Sequence, residues 1–248
     1  QSGLPLIGVG GTARTVAKII QRAKKYPATK IHNYAYPVQT FRSFFNKLRL
    51  TNLEQRKKIS GLSSERSDII LAGSSIISCL LEVTGAKKLI TSGCGLREGL
   101  FYDYYSKSNN VPIIAKNILE RSRENTLRLF ESDTNHARHI TKLALAMFDG
   151  WMELHKVRKN NRRLLETAAL LHDIGITINF YSHARHSAYM IQNAKLFGLT
   201  HKEQIITSAV AGWHNGVSKN YFKSRFYKEM LTESNWKLIN KLALMLAL

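Results

Sequence analysis

Imidazole and carboxylate side chains recur through the second half of this 248-residue chain at positions where they could share an ion. His136 lies in NHARHI and His214 in AGWHNG. The doublet His172-Asp173 closes the apolar run AALLHDIG, and His183 and His186 follow a few residues on in SHARHSAYMI. His136, His172, Asp173, His186 and His214 make up the candidate metal set. Nitrogen and carboxylate ligands together suit Mn, Fe or Zn, and Mg where more oxygens join them. A metal so held lowers the pKa of bound water and clamps a phosphoryl oxygen. Adjacent helical residues project about 100° apart, but Gly175 closes the helix just past the doublet, so both side chains can turn toward one ion. A structural reading stays open beside this one, with each histidine a helix cap or a core side chain.

A second constellation is built on glycine. GVGGT ends the apolar run Leu4 to Val9 and precedes helical periodicity through Val16, Ile19 and Ile20. Successive backbone N–H groups in such a turn, opening a helix N-terminus, form an anion nest. Gly8, Gly10, Gly11 and Thr12 are the phosphate-binding candidates there; a turn with no ligand is the alternative.

The elements that must carry these residues divide the chain. Leu4–Val9 reads as a strand followed by a glycine turn and a helix. From Pro37 to Ile59 the pattern is helical, with Phe41, Phe44, Phe45 and Leu48 on one side, and Thr51 with Glu54 predicts a capping box that starts a second helix. The next stretch predicts a strand at Ile69–Leu71, a helix at Ser75–Val83, a strand at Lys88–Thr91 and a helix at Leu96–Tyr105. Strands alternating with helices predict an α/β layer. Past the polar stretch Ser106 to Pro112 the texture is helical only. Periodic runs cover Asn125–His155, Arg162–His172, His186–Leu196, Lys202–Trp213 and Trp236–Leu248. The predicted fold class is therefore α/β plus all-α, with domains at 1–110 and 111–248.

Charge is the strongest total. There are 37 Lys and Arg against 17 Asp and Glu, a net charge of +20. The excess is shared, 17 against 6 in residues 1–110 and 20 against 11 in 111–248. A field of this sign gathers polyanions such as polyphosphate or a phosphorylated nucleotide. The uncharged apolar run Ile69 to Leu81 is too short to span a bilayer, so no membrane partner is expected. Two cysteines form no disulfide framework, which fits a reducing, cytoplasmic setting. The chain has no initiating Met and opens in a strand, and is expected to be a piece of something longer.

The order His136, His172-Asp173, His214 on helices resembles the HD superfamily of metal-dependent phosphohydrolases. Members usually complete the site with a later Asp, and none appears in KLALMLAL at the end of this sequence. More specific are GVGGTA, ERSDIILAGSSII and SGCGLREGL, in that order and ahead of a helical region containing RHSAYMIQN. Together these resemble the exopolyphosphatase / guanosine pentaphosphate phosphohydrolase (Ppx/GppA) family from Leu4 onward. The resemblance implies part of an actin-like ATPase lobe (acetate and sugar kinase / actin superfamily) followed by an HD-like helical domain. It makes Gly8 to Thr12 the second phosphate loop, sets Gly73 and Ser74 at a strand-to-helix turn beside the phosphate chain, and brings Arg97 close by. It also implies a hydrolase of the stringent response that releases terminal phosphate from inorganic polyphosphate or guanosine pentaphosphate, using Mg²⁺ or Mn²⁺ and an activated water.

The family's first phosphate loop and its water-activating glutamate are expected upstream. Glu54, Glu65 and Glu82 lack that context, so no catalytic residue is assigned here and the isolated chain is expected to be inactive. Lacking the late Asp, the HD-like metal set is expected to be weak or vestigial. A self-contained HD-type hydrolase and a non-catalytic module binding polyanions or nucleic acid are the alternatives. Nucleic acid is the less favoured partner, and a homodimer is allowed.

Overall fold

The computed structural model describes residues 3–27, 30–130, 133–215 and 225–248, without the side chains of 225 and 226. The chain divides into two compact units, Gln1–Ile113 and Ile114–Leu248; the sequence boundary was drawn at 110/111. Among the described residues no helix is long and apolar enough to cross a membrane.

The first unit runs β1 (Leu6–Gly8), α1 (Gly11–Ala23), β2 (Tyr34–Pro37), α2 (Val38–Arg49), α3 (Leu53–Lys57), a 3-10 turn (Ser64–Arg66), α4 (Ile70–Thr84), β3 (Lys88–Thr91) and α5 (Leu96–Ser108). The sheet order is β1-β3-β2. β1 runs parallel to β3, with Leu6 opposite Leu89 and Gly8 opposite Thr91, while β2 is antiparallel, with Tyr34 opposite Thr91. Val16, Ile19 and Ile20 recur at helical spacing on α1 and bury one face of it. They join Phe41 and Leu48 of α2, Ile70 and Leu81 of α4, Tyr34, Tyr36 and Leu89 in a single core.

Three local expectations are corrected. Ile69–Leu71 is not a strand: Ile70 begins α4, and Gly73 and Ser74 lie inside that helix. Its buried residues Ile70, Ser74 and Leu81 keep the helical period, which a run apolar on most sides conceals. The strand missed by periodicity is β2, whose Tyr-Ala-Tyr alternation buries both tyrosines. The capping box is formed by Asn52 and Gln55, each side chain accepting the other's backbone N–H at 2.9 Å. Thr51 Oγ1 instead donates to the Leu48 carbonyl at 2.6 Å, and Glu54 pairs with Lys57 at 2.7 Å.

Among its described residues the second unit has helices and no strand: α6 (Ile118–Leu129), α7 (Thr134–Gly150), α8 (Met152–His155), a 3-10 turn (Lys159–Asn161), α9 (Arg162–Leu171), a 3-10 turn (Ile174–Thr177), α10 (His183–Asn193), α11 (His201–Trp213), α12 (Arg225–Met230) and α13 (Glu233–Ala247). The periodic stretch Asn125–His155 is thus divided among α6, α7 and α8. The Asp133 side chain starts α7 by accepting the N–H groups of Asn135 and His136, both at 3.0 Å.

α9 is central, flanked by α6, α7, α11 and α13. Seven of its ten residues are buried, as a helix covered on all sides requires. Arg123 of α6 enters this interior paired to Glu166 at 2.9 Å. Gln204 of α11, also buried, donates to the carbonyls of Ile191 at 2.7 Å and Ala194 at 2.8 Å, satisfying the end of α10.

Candidate metal centre and phosphate-binding edge

The burial of α9 puts the residue that caps its C-terminus, His172, inside the helical unit, with Asp173 opening the following 3-10 turn. That turn and α10 approach closely because residue 175 is glycine. A Cβ there would press into the His183 carbonyl and the Ser187 amide and lie 2.8 Å from the His186 Cβ. The Gly175 N–H donates to the buried Ser187 Oγ at 2.8 Å. α10 therefore starts against the doublet, with His183 as its first residue.

Asp173 is the hub. Its Oδ2 lies 3.4 Å from His136 Nε2 and 3.3 Å from His172 Nε2, and its Oδ1 lies 3.3 Å from His183 Nε2. His214, at the end of α11, stacks edge-on to His172 with ring centroids 5.0 Å apart. Three of the four imidazoles are oriented from behind, each by the carbonyl three residues earlier: His172 Nδ1 to Ala169 at 2.8 Å, His183 Nδ1 to Phe180 at 3.0 Å, and His214 Nδ1 to Ala211. A carbonyl acceptor puts the ring proton on Nδ1 and leaves the Nε2 lone pair free for a ligand, the usual outer arrangement of metal-bound histidine. Burial lowers the pKa of His172, and lowers that of His214 to about 4. Both rings are therefore neutral at pH 7, the form that binds metal.

The donor set fits a metal. A hydrogen bond from a charged imidazole to a carboxylate would close to about 2.7–2.9 Å, shorter than the three separations found. Two ligand atoms about 2.05 Å from a tetrahedral ion stand about 3.3 Å apart, which matches them.

In the first unit, β1 and β3 end side by side and each opens through a glycine turn into a helix. Gly8 is the last residue of β1, and its carbonyl accepts the Ser92 N–H at 2.8 Å across the paired ends. Gly10 caps α1 at φ 103°, a conformation that disfavours any side chain. Gly95 caps α5, its N–H held by Glu98 Oε2 at 2.7 Å. That bond holds the Glu98 carboxyl below its usual range. Arg14 Nε donates to the Gly10 carbonyl at 3.3 Å, and a Cβ on Gly95 would lie 3.2 Å from Arg14 Nη2, so this guanidinium reaches from one turn to the other. Arg66 covers Gly11, its Nη2 lying 2.7 Å from where a Cβ would stand. Thr12 meets Gly73 of α4, where a Cβ would fall 2.6 Å from the threonine Cγ2.

The structure thus brings His136, His172, Asp173 and His214 together and adds His183, which the sequence set omitted. His186 faces the Gly175 turn and joins neither donor group. Gly8, Gly10, Gly11 and Thr12 line the strand-end edge. Gly73 touches that edge from inside a helix rather than from a strand-to-helix turn, and Ser74 is fully buried. Arg97 is exposed in the first turn of α5. Arg14 and Arg66 are new: Arg14 could have been found one helical turn past Gly10, whereas nothing local marks Arg66.

A family model described as Ppx/GppA phosphatase, domain III, matches residues 118–248, and one described as the Ppx/GppA phosphatase family matches residues 4–108. The chain is 30% identical over 146 residues to the guanosine-5'-triphosphate,3'-diphosphate pyrophosphatase of Photobacterium profundum, covering 59% of this chain and 28% of that protein. It is 27% identical over 183 residues to the protein of the same name from Pseudoalteromonas translucida, covering 73% and 36%. It spans about a third of the length of these relatives. Among solved structures, an Aquifex aeolicus member of the Ppx/GppA family matches at 28% identity and a TM-score of 0.39, over 44% of this chain and 36% of that one.

Proposed function

Since the chain belongs to the Ppx/GppA phosphatase family, we propose that it is part of a phosphohydrolase removing terminal phosphate from guanosine pentaphosphate, inorganic polyphosphate, or both. In this reading the first unit is part of an actin-like lobe and the second an HD-like domain. The observation that carries it is the strand-end edge, where two helix N-termini open beside each other with Arg14 reaching between the glycine turns. Amides at Gly10 and Gly11 would receive phosphate oxygens, and Arg14 and Arg66 would neutralise them. Glu98, the carboxylate at this edge, is held by the Gly95 amide and is a poor base for water. Mg²⁺ or Mn²⁺ would arrive on the phosphate oxygens, and the edge by itself would hold the substrate without hydrolysing it.

The convergence of four histidines on Asp173 favours a second reading, in which the helical unit is itself a metal-dependent hydrolase. Bound metal would supply an activated water and a clamp for phosphoryl oxygen. The chain's own part is to present neutral Nε2 atoms and one carboxylate in fixed orientation.

One experiment separates the two: polyphosphate binding and phosphate release from both substrates, with Mn²⁺, by the chain, by Gly11→Val, and by His172→Ala with Asp173→Ala. The first reading expects binding without turnover, weakened roughly tenfold or more by Gly11→Val through the loss of about one charge-assisted contact. Metal-dependent turnover abolished by the double variant would put the second reading in its place.

A further inference from the structure

α4 is apolar on two opposite sides. Ile70, Ser74 and Leu81 are buried, and Ile77 packs against the same core. On the opposite side, Ile69, Ala72, Ile76, Cys79, Leu80 and Val83 fall within one arc of about 100°, since each residue turns the helix by about that angle. All six are exposed, Ile76 at 63% and Val83 at 80%. No polar side chain interrupts this stripe, and Glu82 is the one charged residue from Ile69 to Thr84 in a chain of net charge +20. A helix hydrophobic all round belongs in an interior, and a continuous bare stripe marks a contact surface. Its alternating steps of three and four residues are those by which one helix seats another.

The stripe is complementary to itself. Ile69 and Val83 stand at equal distances from Ile76, as do Ala72 and Leu80. Laid antiparallel on a second copy, Ile76 meets Ile76, Ile69 meets Val83, and the small Ala72 meets the larger Leu80. Alternation of small and large across facing positions lets side chains interdigitate. The ends match in charge as well: exposed Glu65 and Asp68 precede the helix, and exposed Lys87 and Lys88 follow it. An antiparallel pair sets acidic ends beside basic ends, whereas a parallel pair sets like charges together. We propose that α4 pairs antiparallel with α4 of a second copy of this chain, about a two-fold axis at Ile76. Such a contact uses the same stripe on both copies and closes at two. One helix pair lies at the small end of specific interfaces, below about 1,200 Å² in total, so the dimer is reversible in the micromolar range.

Light scattering after size exclusion tests it on the full 248-residue chain, at physiological salt to screen the repulsion between two basic chains. Mass should rise toward two copies across micromolar concentrations. Ile76→Arg brings two like charges together at the axis. It should weaken association roughly tenfold or more while circular dichroism stays native, because Ile76 is exposed in one copy. Cysteine placement reads the register, with Cys79→Ser and Cys94→Ser as the background. Ile76→Cys should form an interchain disulfide under a mild oxidant, because the axis sets position 76 beside itself. Val83→Cys should not crosslink alone but should do so when mixed with Ile69→Cys. A chain that stays monomeric throughout would overturn the inference. So would a dimer indifferent to Ile76→Arg, or one in which Val83→Cys crosslinks to itself.

Discussion

At the scale of single residues, what separates a structural histidine from a site histidine is where its second nitrogen points. His155 is buried with both nitrogens used inside the fold, Nε2 against the Phe148 carbonyl at 2.8 Å and Nδ1 accepting the Val157 N–H at 2.9 Å. His172, His183 and His214 instead place Nδ1 against a backbone carbonyl, and Nε2 of His172 and of His183 faces the Asp173 carboxylate. Residue type and spacing in the sequence brought out His136, His172, Asp173 and His214. They point to His186 where the structure has His183, because that choice depends on where α10 begins. It begins after Ser182, which adopts a left-handed φ of 61°, a conformation Ser does not advertise in sequence.

The depressed pKa values carry a pH consequence. An unfolded histidine titrates near 6.5, while burial lowers folded His214 to about 4. Between those values the unfolded chain binds the proton and the folded chain does not. The contribution is therefore full above pH 6.5 and is lost as pH falls toward 4, by on the order of 3 kcal/mol. In urea unfolding of metal-free protein, the margin of the chain over His214→Gln should shrink by about that amount from pH 7 to pH 4. A margin independent of pH would contradict the burial argument.

At the scale of elements, legibility tracked how much of an element's pattern is local. The strand at Lys88–Thr91 was predicted with the bounds it has, and α9, α10, α11 and α13 lie within a few residues of their expected places. The errors fell where packing by other elements decides. α4 was divided into strand and helix because its apolar run is broad, and β2 was passed over because four residues carry little periodicity. The contact between the 3-10 turn at Ile174–Thr177 and α10 was likewise invisible, since it depends on an absent side chain. Gly175→Ala tests that contact. The added Cβ meets backbone on both sides, the His183 carbonyl and the Ser187 amide, and backbone cannot rotate aside. Overpacking of this kind destabilises by about 1–3 kcal/mol. Because α10 carries His183, thermal unfolding should fall and metal affinity should weaken together. A variant with lowered thermal stability and unchanged metal binding would separate the packing from the site.

At the scale of the whole molecule, the charge was legible at once and its purpose was not. A net +20 spread over both halves is compatible with a solvated surface that binds nothing, and with a surface that gathers phosphate chains along much of its length. Ionic strength distinguishes these. Each Lys or Arg that contacts a phosphate releases a condensed counterion, so the logarithm of affinity falls with the logarithm of salt at roughly 0.7 per contact for a single flexible strand. If about five such contacts form, a fourfold rise in salt weakens binding by roughly a hundredfold. A polyphosphate titration by calorimetry at 50 and 200 mM salt, values spanning the steep range for about this many contacts, should show that loss. Arg14→Ala with Arg66→Ala should reduce the slope by about two contacts, because both side chains sit at the strand-end edge. An affinity that is flat in salt, or a slope untouched by the double substitution, would place the polyanion away from that edge.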